Sequence, residues 1–176
     1  LPPFAHTGTD YFGPFHVSTG RGRAQQKRYG VIFSCLISRA IHIEIASSLN
    51  QDSFIFALRR FIARRGPIKI IRSDNGPNFV SSNKELRDSI NQWNNSQIHE
   101  FFLQNQIEWR FNPPYASHFG GVYEREIRSI RRILESLLWE NSSRFTFTEE
   151  ILHTLVCEVE EILNNRPLTP ITTDPD

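Results

Sequence analysis

Apolar residues in the first quarter of the chain recur in short stretches, with the spacing typical of β-strands. The predicted strands are Phe4–Val17, Arg28–Ile37 and Ala40–Ala46, with a polar, glycine-containing turn over Ser18–Lys27. In the third stretch isoleucines alternate with His42 and Glu44, a period of two that predicts one buried face and one face in water. Three consecutive strands of this kind favour an antiparallel meander.

A helical pattern follows, and it has clear start and stop signals. Asn50 is a suitable N-cap, and apolar residues then recur at helical spacing up to about Arg65, where Gly66-Pro67 ends the helix. The apolar stripe consists of Phe54, Leu58, Phe61 and Ile62. A fourth strand is predicted over Ile68–Ser73.

The second half of the chain is predicted to be mainly helical. Helices are predicted over Lys84–Trp93, Val122–Trp139 and from Thr148 to about Asn164, a fifth strand over Ile107–Phe111, and a loop over Asn112–Gly121. This order predicts an α/β domain with a mixed five-stranded sheet, a three-strand antiparallel meander plus parallel strands, flanked by helices. We assign the domain to residues 1–164 and an extended tail to residues 165–176.

Composition and charge narrow the function classes. The chain of 176 residues suits one domain with its own core, and no uncharged apolar stretch approaches the roughly 18 residues of a membrane span. Cys35 and Cys157 are predicted to be buried free thiols. Residues 1–80 carry 11 basic and 4 acidic side chains, a net charge of +7, which suits a polyanionic partner. A solvated basic helix face explains the same charge equally well.

Three acids stand inside otherwise ordered segments: Asp10 in the first strand, Asp74 after the fourth, and Glu124 at the start of a helix. Taken singly, each has an ordinary explanation, namely a strand edge in water, a turn former, and a charge favoured by the helix dipole. Glu126 is a competitor for the helix position, but it points about 200° away from Glu124 around the helix. Together, three carboxylates are the hard oxygen ligands that Mg²⁺ prefers.

These motifs resemble the catalytic core of retroviral-type integrases, which are RNase H-like polynucleotidyl transferases. The resemblance covers essentially the whole chain, and it is closest to integrases of BEL/Pao-type LTR retrotransposons. The segments that carry it are Thr9-Asp10-Tyr11, Ser73–Phe79, Gly121–Glu124, Arg64-Arg65-Gly66, Asn112-Pro113-Pro114, His118–Val122 and Leu163–Pro170.

The resemblance implies a site and a reaction. Asp10, Asp74 and Glu124 would be the catalytic metal ligands for two Mg²⁺ or Mn²⁺ ions. The reaction would be 3′-end processing followed by strand transfer of retroelement DNA into target DNA.

The DNA-binding residues would be Asn78, Tyr115, Arg128 and Arg131, and the arginines stand where relatives have lysines that grip the DNA end. The partners implied are double-stranded DNA, both element ends and target, and further copies of the chain in a dimer or higher oligomer, without a membrane. The protein would act in the nucleus after a cytoplasmic particle phase.

The sequence also departs from the family pattern. Between Asp74 and Glu124 lie 49 residues, more than is typical of retroviral cores, and Gly120 replaces a glutamine that many relatives have. Full-length relatives also carry a zinc module and a C-terminal DNA-binding region, which this sequence does not contain. Two alternatives therefore stay open: a domesticated, non-catalytic DNA-binding or assembly module, and an RNase H-type nuclease.

Overall fold

The structure is a computed structural model of the chain. It describes residues 1–20, 24–73, 92–93, 95–111, 117–141 and 146–167, with side chains throughout these ranges except at positions 95, 111, 117–124, 138 and 141. The predicted sites at Asp74, Asn78 and Tyr115 lie outside the described residues, as do the tail beyond Pro167 and most of the helix predicted over Lys84–Trp93.

A mixed five-stranded sheet forms the centre of the fold, as the sequence predicts. The strands are β1 (His6–Ser18), β2 (Gln25–Cys35), β3 (Ile41–Ala46), β4 (Ile70–Ser73) and β5 (Glu108–Phe111). The helices are α1 (Gln51–Arg65), α2 (Asn95–Gln104), α3 (Ser117–Asn141) and α4 (Glu149–Asn164). The strand order is β3-β2-β1-β4-β5, with β1, β2 and β3 antiparallel and β1, β4 and β5 parallel.

Several element boundaries differ from the prediction. β2 begins at Gln25, inside the predicted turn, because its first residues pair with the end of β1. α2 was not predicted, and Trp93, which was assigned to a helix, is not helical. α3 begins at Ser117, inside the predicted loop, and continues through Gly120-Gly121. Each glycine inside a helix costs about 1 kcal/mol relative to alanine, so the buried apolar stripe further along α3 offsets this cost.

Both faces of the sheet are covered, and each face has its own apolar cluster. On one face, α1 and α2 pack against residues such as Tyr11 and Phe33. On the other face, α3 and α4 pack against Phe12 and Ile32. Because successive side chains of a strand point to opposite faces, β1 contributes Tyr11 to the first cluster and Phe12 to the second. The sheet is therefore the middle layer of three.

The prediction that one face of β3 lies in water is wrong. His42 is 2% exposed and Glu44 is also buried, because the C-terminal half of α1 covers them. Nε of Arg60 donates to Glu44 at 2.7 Å, and Nε2 of His42 lies 2.7 Å from the same carboxylate. The isoleucines and the polar residues of β3 do lie on opposite faces, as predicted. The polar face is not hydrated, because it is buried against the charged side chains of α1.

Side chains of two helices cover the outer edge of β3. Asn164 of α4 bonds both the N–H and the C=O of Ile41, and Glu160 accepts from the N–H of Ile43 at 3.0 Å. Arg60 of α1 donates to the C=O of Ile45 at 2.7 Å. An open strand edge is a template for pairing with another chain. These bonds occupy that edge and attach α4 to the sheet.

The cysteines differ in their environment. Both are free thiols, but only Cys35 is buried, whereas Cys157 on α4 is exposed, so the prediction that both are buried is wrong for Cys157. Among the helices described, none is both long and apolar enough to cross a membrane.

Gly30 lies directly under an aromatic ring, which gives a first prediction. It is the cross-strand partner of Phe12, and a Cβ at position 30 would overlap the buried Phe12 ring. We expect Gly30→Ala to lower the free energy of unfolding by about 1–3 kcal/mol, the usual cost of overpacking a core. Denaturant unfolding measures this change. If the contact is the cause, Phe12→Leu should cost less in the Gly30→Ala background than in the parent, and equal costs would contradict it.

His42 gives a second prediction, on pH. Its Nδ1 lies 3.0 Å from Nε of Arg65 and 3.4 Å from a Glu160 oxygen, so the neutral ring accepts from Arg65 and the protonated ring can donate to Glu160. Burial lowers the pKa of His42, but hydrogen bonds and charges from Glu160 and Glu44 outweigh burial and raise it above the ordinary value. The protonated ring therefore stabilises the fold most below the unfolded pKa, about 6.5, and this contribution is lost as pH rises through the folded pKa.

An NMR titration of the His42 ring tests this. We expect its pKa to lie above the ordinary value in the parent and to fall in Glu160→Gln, which removes one of the two carboxylates. Glu158→Gln removes an exposed charge from the same helix and should leave the His42 pKa unchanged. A pKa that does not respond to Glu160→Gln would exclude Glu160 as a cause.

Candidate active site

The parallel pairing of β1 and β4 places Asp10 beside the end of β4. β1 and β4 pair in parallel, with Thr9 opposite Ser73. Asp10 follows Thr9 on the central strand, and Asp74 is the residue that follows Ser73 in the sequence. β4 therefore ends beside Asp10, one residue before Asp74. Ser73 is itself held in place, because Nε1 of Trp109 on β5 donates to its hydroxyl at 2.7 Å.

Asp10 is 5% exposed, although it carries a carboxylate. Its Oδ1 accepts from the N–H of Tyr11 at 2.7 Å. The alternative reading, a strand-edge residue that faces water, is wrong, because β1 is the third of five strands. A buried carboxylate is costly unless it is paired or bound to a cation. Burial of the Asp10 carboxylate is compatible with its predicted role as a metal ligand.

α3 crosses the face of the sheet on which Asp10 lies. Asp10 is opposite Ile32 in the antiparallel pairing, and Ile32 packs in one cluster with Phe12 of β1 and Ile130 of α3. Glu124 belongs to the same helix, but its side chain is not among those described. Since α3 starts at Ser117, Glu124 lies two turns into the helix, and the reading of Glu124 as a first-turn residue is wrong.

Glu126 is buried on the side of α3 that packs against the sheet, a position that was not predicted. It is 4% exposed, and its carboxylate accepts from the hydroxyl of Ser34, a buried residue of β2. Burial raises the pKa of Glu126, and the bond from Ser34 and the charges of Arg166 and Arg39 offset part of that rise. The signal was present in the sequence, because Glu126 precedes Ile130 by four residues and so falls on the apolar stripe.

Arg128 and Arg131, the predicted DNA contacts on α3, are both exposed. Arg125 and Arg132 of the same helix are also exposed. At 100° per residue these four arginines fall within an arc of about 120° around the helix. We call this surface the basic face of α3. Its position opposite the buried stripe leaves it open to a polyanion.

The donor set suits a hard divalent cation. Among the side chains that the structure describes, no group of three His, Cys, Asp or Glu residues forms a metal site. Of the predicted set, Asp10 alone has a described side chain, and it is a buried carboxylate. Three carboxylates supply the oxygen ligands that Mg²⁺ or Mn²⁺ requires, so the residues present fit such an ion by their chemistry.

Comparison with known proteins places the chain in a family. The model of the integrase core domain matches residues 3–117, which is more than half of the chain. The chain belongs to the integrase core domain family. The matched segment of this integrase core includes Asp10 and Asp74 and ends before Glu124. No curated protein sequence is significantly similar to the chain.

Solved integrase cores have the same fold. The HTLV-2 integrase catalytic core domain, in complex with magnesium in a dimeric form, is 18% identical with a TM-score of 0.63, over 99% of this chain and 94% of that one. The BIV integrase catalytic core domain is 14% identical with a TM-score of 0.60, over 95% of this chain and 88% of that one. A chain of the simian T-cell lymphotropic virus intasome in complex with PP2A regulatory subunit B56 gamma is 15% identical with a TM-score of 0.59. The match covers 100% of this chain and 59% of that one. The RNase H-like fold predicted from the sequence is thus confirmed.

The basic face of α3 gives a third prediction. We expect Arg128→Ala with Arg131→Ala to weaken DNA binding and to reduce the slope of log K against log salt by roughly one to two units, because each phosphate contact releases counterions. Fluorescence anisotropy from low to moderate salt measures the slope.

Arg59→Ala with Lys69→Ala is the matched control, since it removes two exposed positive charges that are not on α3. A slope that is unchanged in the α3 pair, or reduced equally in the control, would show that the basic face does not bind phosphates.

Proposed function

We propose that this integrase core carries out metal-dependent integration of retroelement DNA, by 3′-end processing and then strand transfer into target DNA. Family membership supports polynucleotidyl transfer in general. The observation that carries the finer proposal is the buried Asp10 carboxylate, next to the end of the strand that Asp74 follows. The pattern within the chain that favours a BEL/Pao-type retrotransposon as its source is the run from Leu163 to Pro170.

Asp10, Asp74 and Glu124 would hold two Mg²⁺ or Mn²⁺ ions. When bound, such ions polarise the phosphoryl group and activate the attacking water or 3′-hydroxyl. Asp10 is suited to its part because the N–H of Tyr11 orients one oxygen and burial limits competition from water. Strands hold side chains more rigidly than loops, so placement on the central strand favours a fixed ligand. The magnesium complex of the HTLV-2 core supports the choice of metal.

The DNA would lie across the basic face of α3, with Arg128 and Arg131 on the phosphates and Asn78 and Tyr115 near the reacting end. The active form would be an oligomer, dimer or higher. Solved relatives support this, since HTLV-2 cores were solved as dimers and trimers and a simian relative as an intasome. A protein with this activity would work in the nucleus, after a cytoplasmic phase in the element particle.

A fourth prediction concerns the three acids. We expect Asp10→Asn, Asp74→Asn and Glu124→Gln each to abolish strand transfer while preserving the fold, because a two-ion site needs every carboxylate. The assay is transfer of a labelled duplex end in Mg²⁺ or Mn²⁺, with the full-length protein as well as this core. Glu158→Gln removes an exposed acid and should leave activity unchanged. Near-normal activity in any of the three variants would remove that residue from the site.

A fifth prediction tests the metal without DNA. Thermal melts of the parent should rise when millimolar Mg²⁺ or Mn²⁺ replaces chelator, since the ion binds only the folded state. Asp74→Asn should gain little from metal, and in chelator it should melt above the parent by on the order of 1 kcal/mol, because it relieves repulsion between like charges. If Asp74 only forms a turn, parent and variant will melt alike and respond to metal alike.

A further inference from the structure

Glu126 is an acid on a helix face that is otherwise apolar. It lies on the side of α3 that packs against the sheet, with Ile130 and Leu134 on the following turns, and those three residues are each less than 5% exposed. A carboxyl group at such a place is less favourable for stability than a leucine of similar size. Its position is therefore explained better by a directional contact than by packing.

The contact of Glu126 falls on the part of the sheet that carries Asp10. Ser34, its partner, is opposite Gly8 of β1, two residues before Asp10. Residues two apart on a strand share a face and are separated by about 6.6 Å. Ser34 and Asp10 are therefore near neighbours on the face that α3 covers. Glu126 itself follows Glu124 by two residues.

Two quantities describe how α3 lies on the sheet: its position along its own axis and its rotation about that axis. We call these two together the setting of α3. The hydrophobic effect has no direction, so by itself it does not select one position of a helix on an apolar surface. A buried hydrogen bond between two fixed side chains does have a direction, and it is lost when the helix moves by more than a few tenths of an ångström. The Ser34–Glu126 bond is a contact of this kind between β2 and α3.

We propose that Glu126 is a positioning residue which, through Ser34, fixes the setting of α3 and so holds Glu124 in register with Asp10. This rests on the proposed function, in which Glu124 is a metal ligand. Arg39, in the turn between β2 and β3, and Arg166, beyond α4, place positive charge around the Glu126 carboxylate.

The proposal distinguishes two changes at position 126. Glu126→Gln keeps a hydrogen-bonding group of the same shape, so α3 should keep its setting. The double variant Ser34→Ala with Glu126→Leu removes both partners and leaves no buried polar group unpaired, a change that is usually neutral or stabilising. It should fold normally and lose only the directional contact.

Two measurements on the full chain test it, and one does not depend on activity. The first is the distance distribution between spin labels at Gln25→Cys on β2 and Ser136→Cys on α3, both exposed positions, in a Cys157→Ser background. We expect the double variant to broaden this distribution and Glu126→Gln to leave it narrow. The second is strand transfer, for which we expect the double variant to lose on the order of 100-fold in kcat with an unchanged KM for DNA, as displaced catalytic groups do.

Ile130→Val is the matched control, because it weakens packing in the same stripe without touching the hydrogen bond. A double variant with a narrow distance distribution and near-parent kcat would overturn the proposal, as would an equal loss of kcat in Ile130→Val. If the double variant does not fold, Ser34→Ala alone is judged by the same two readouts. If the parent shows no strand transfer, the proposed function fails, and the distance distributions still decide whether Glu126 positions α3.

Discussion

The carboxylate of Asp10 lies on the central strand of the sheet, where almost no solvent reaches it. A charge in that position must be compensated by hydrogen bonds, by an opposite charge or by a bound cation. The parallel pairing of β1 with β4 ends β4 beside Asp10, and α3 covers the same face of the sheet. The three-layer architecture thus places a buried acid beside the end of β4, on the face of the sheet that α3 covers.

Buried polar groups that need a partner also occur at the edge of the sheet. His42 and Glu44 of β3 are buried, and they are compensated by arginines of α1 and by Glu160 of α4. Buried charge pairs contribute little net stability, but they are intolerant of misplacement. At this edge, polar contacts attach both α1 and α4 to β3.

The sequence was sufficient for features that depend on local chemistry. Asn50 is the N-cap of α1, as predicted, because its side chain accepts from the N–H of Ser53. Thr148 caps α4 in the same way, by accepting from the N–H of Ile151. The five strands were found because β-spacing is set by the backbone alone. Prediction from the sequence failed for features that depend on contacts between distant segments of the chain. The buried polar face of β3 depends on α1, and the early start of α3 through two glycines depends on burial of a stripe that begins several residues later.

The site was predictable to a different degree at each residue. Asp10 was predicted from an acid inside an apolar strand; the structure shows that it is buried, and its role as a metal ligand stays a prediction. The roles of Asp74 and Glu124 rest on resemblance to a family, since a turn former and a helix acid look ordinary in isolation. Glu126 was considered only as a competitor of Glu124, because one-dimensional spacing shows which face a residue occupies but not which residue on β2 it meets.

The central claim is that Asp10, Asp74 and Glu124 converge on divalent metal. Crystals of this core grown with Mn²⁺, with diffraction data collected at the manganese absorption edge, test it most directly. We expect anomalous density bonded to an Asp10 oxygen at about 2.1 Å, with Asp74 and Glu124 completing the protein ligands. Density elsewhere, or an Asp10 carboxylate without metal while Mn²⁺ binds other residues, would contradict it.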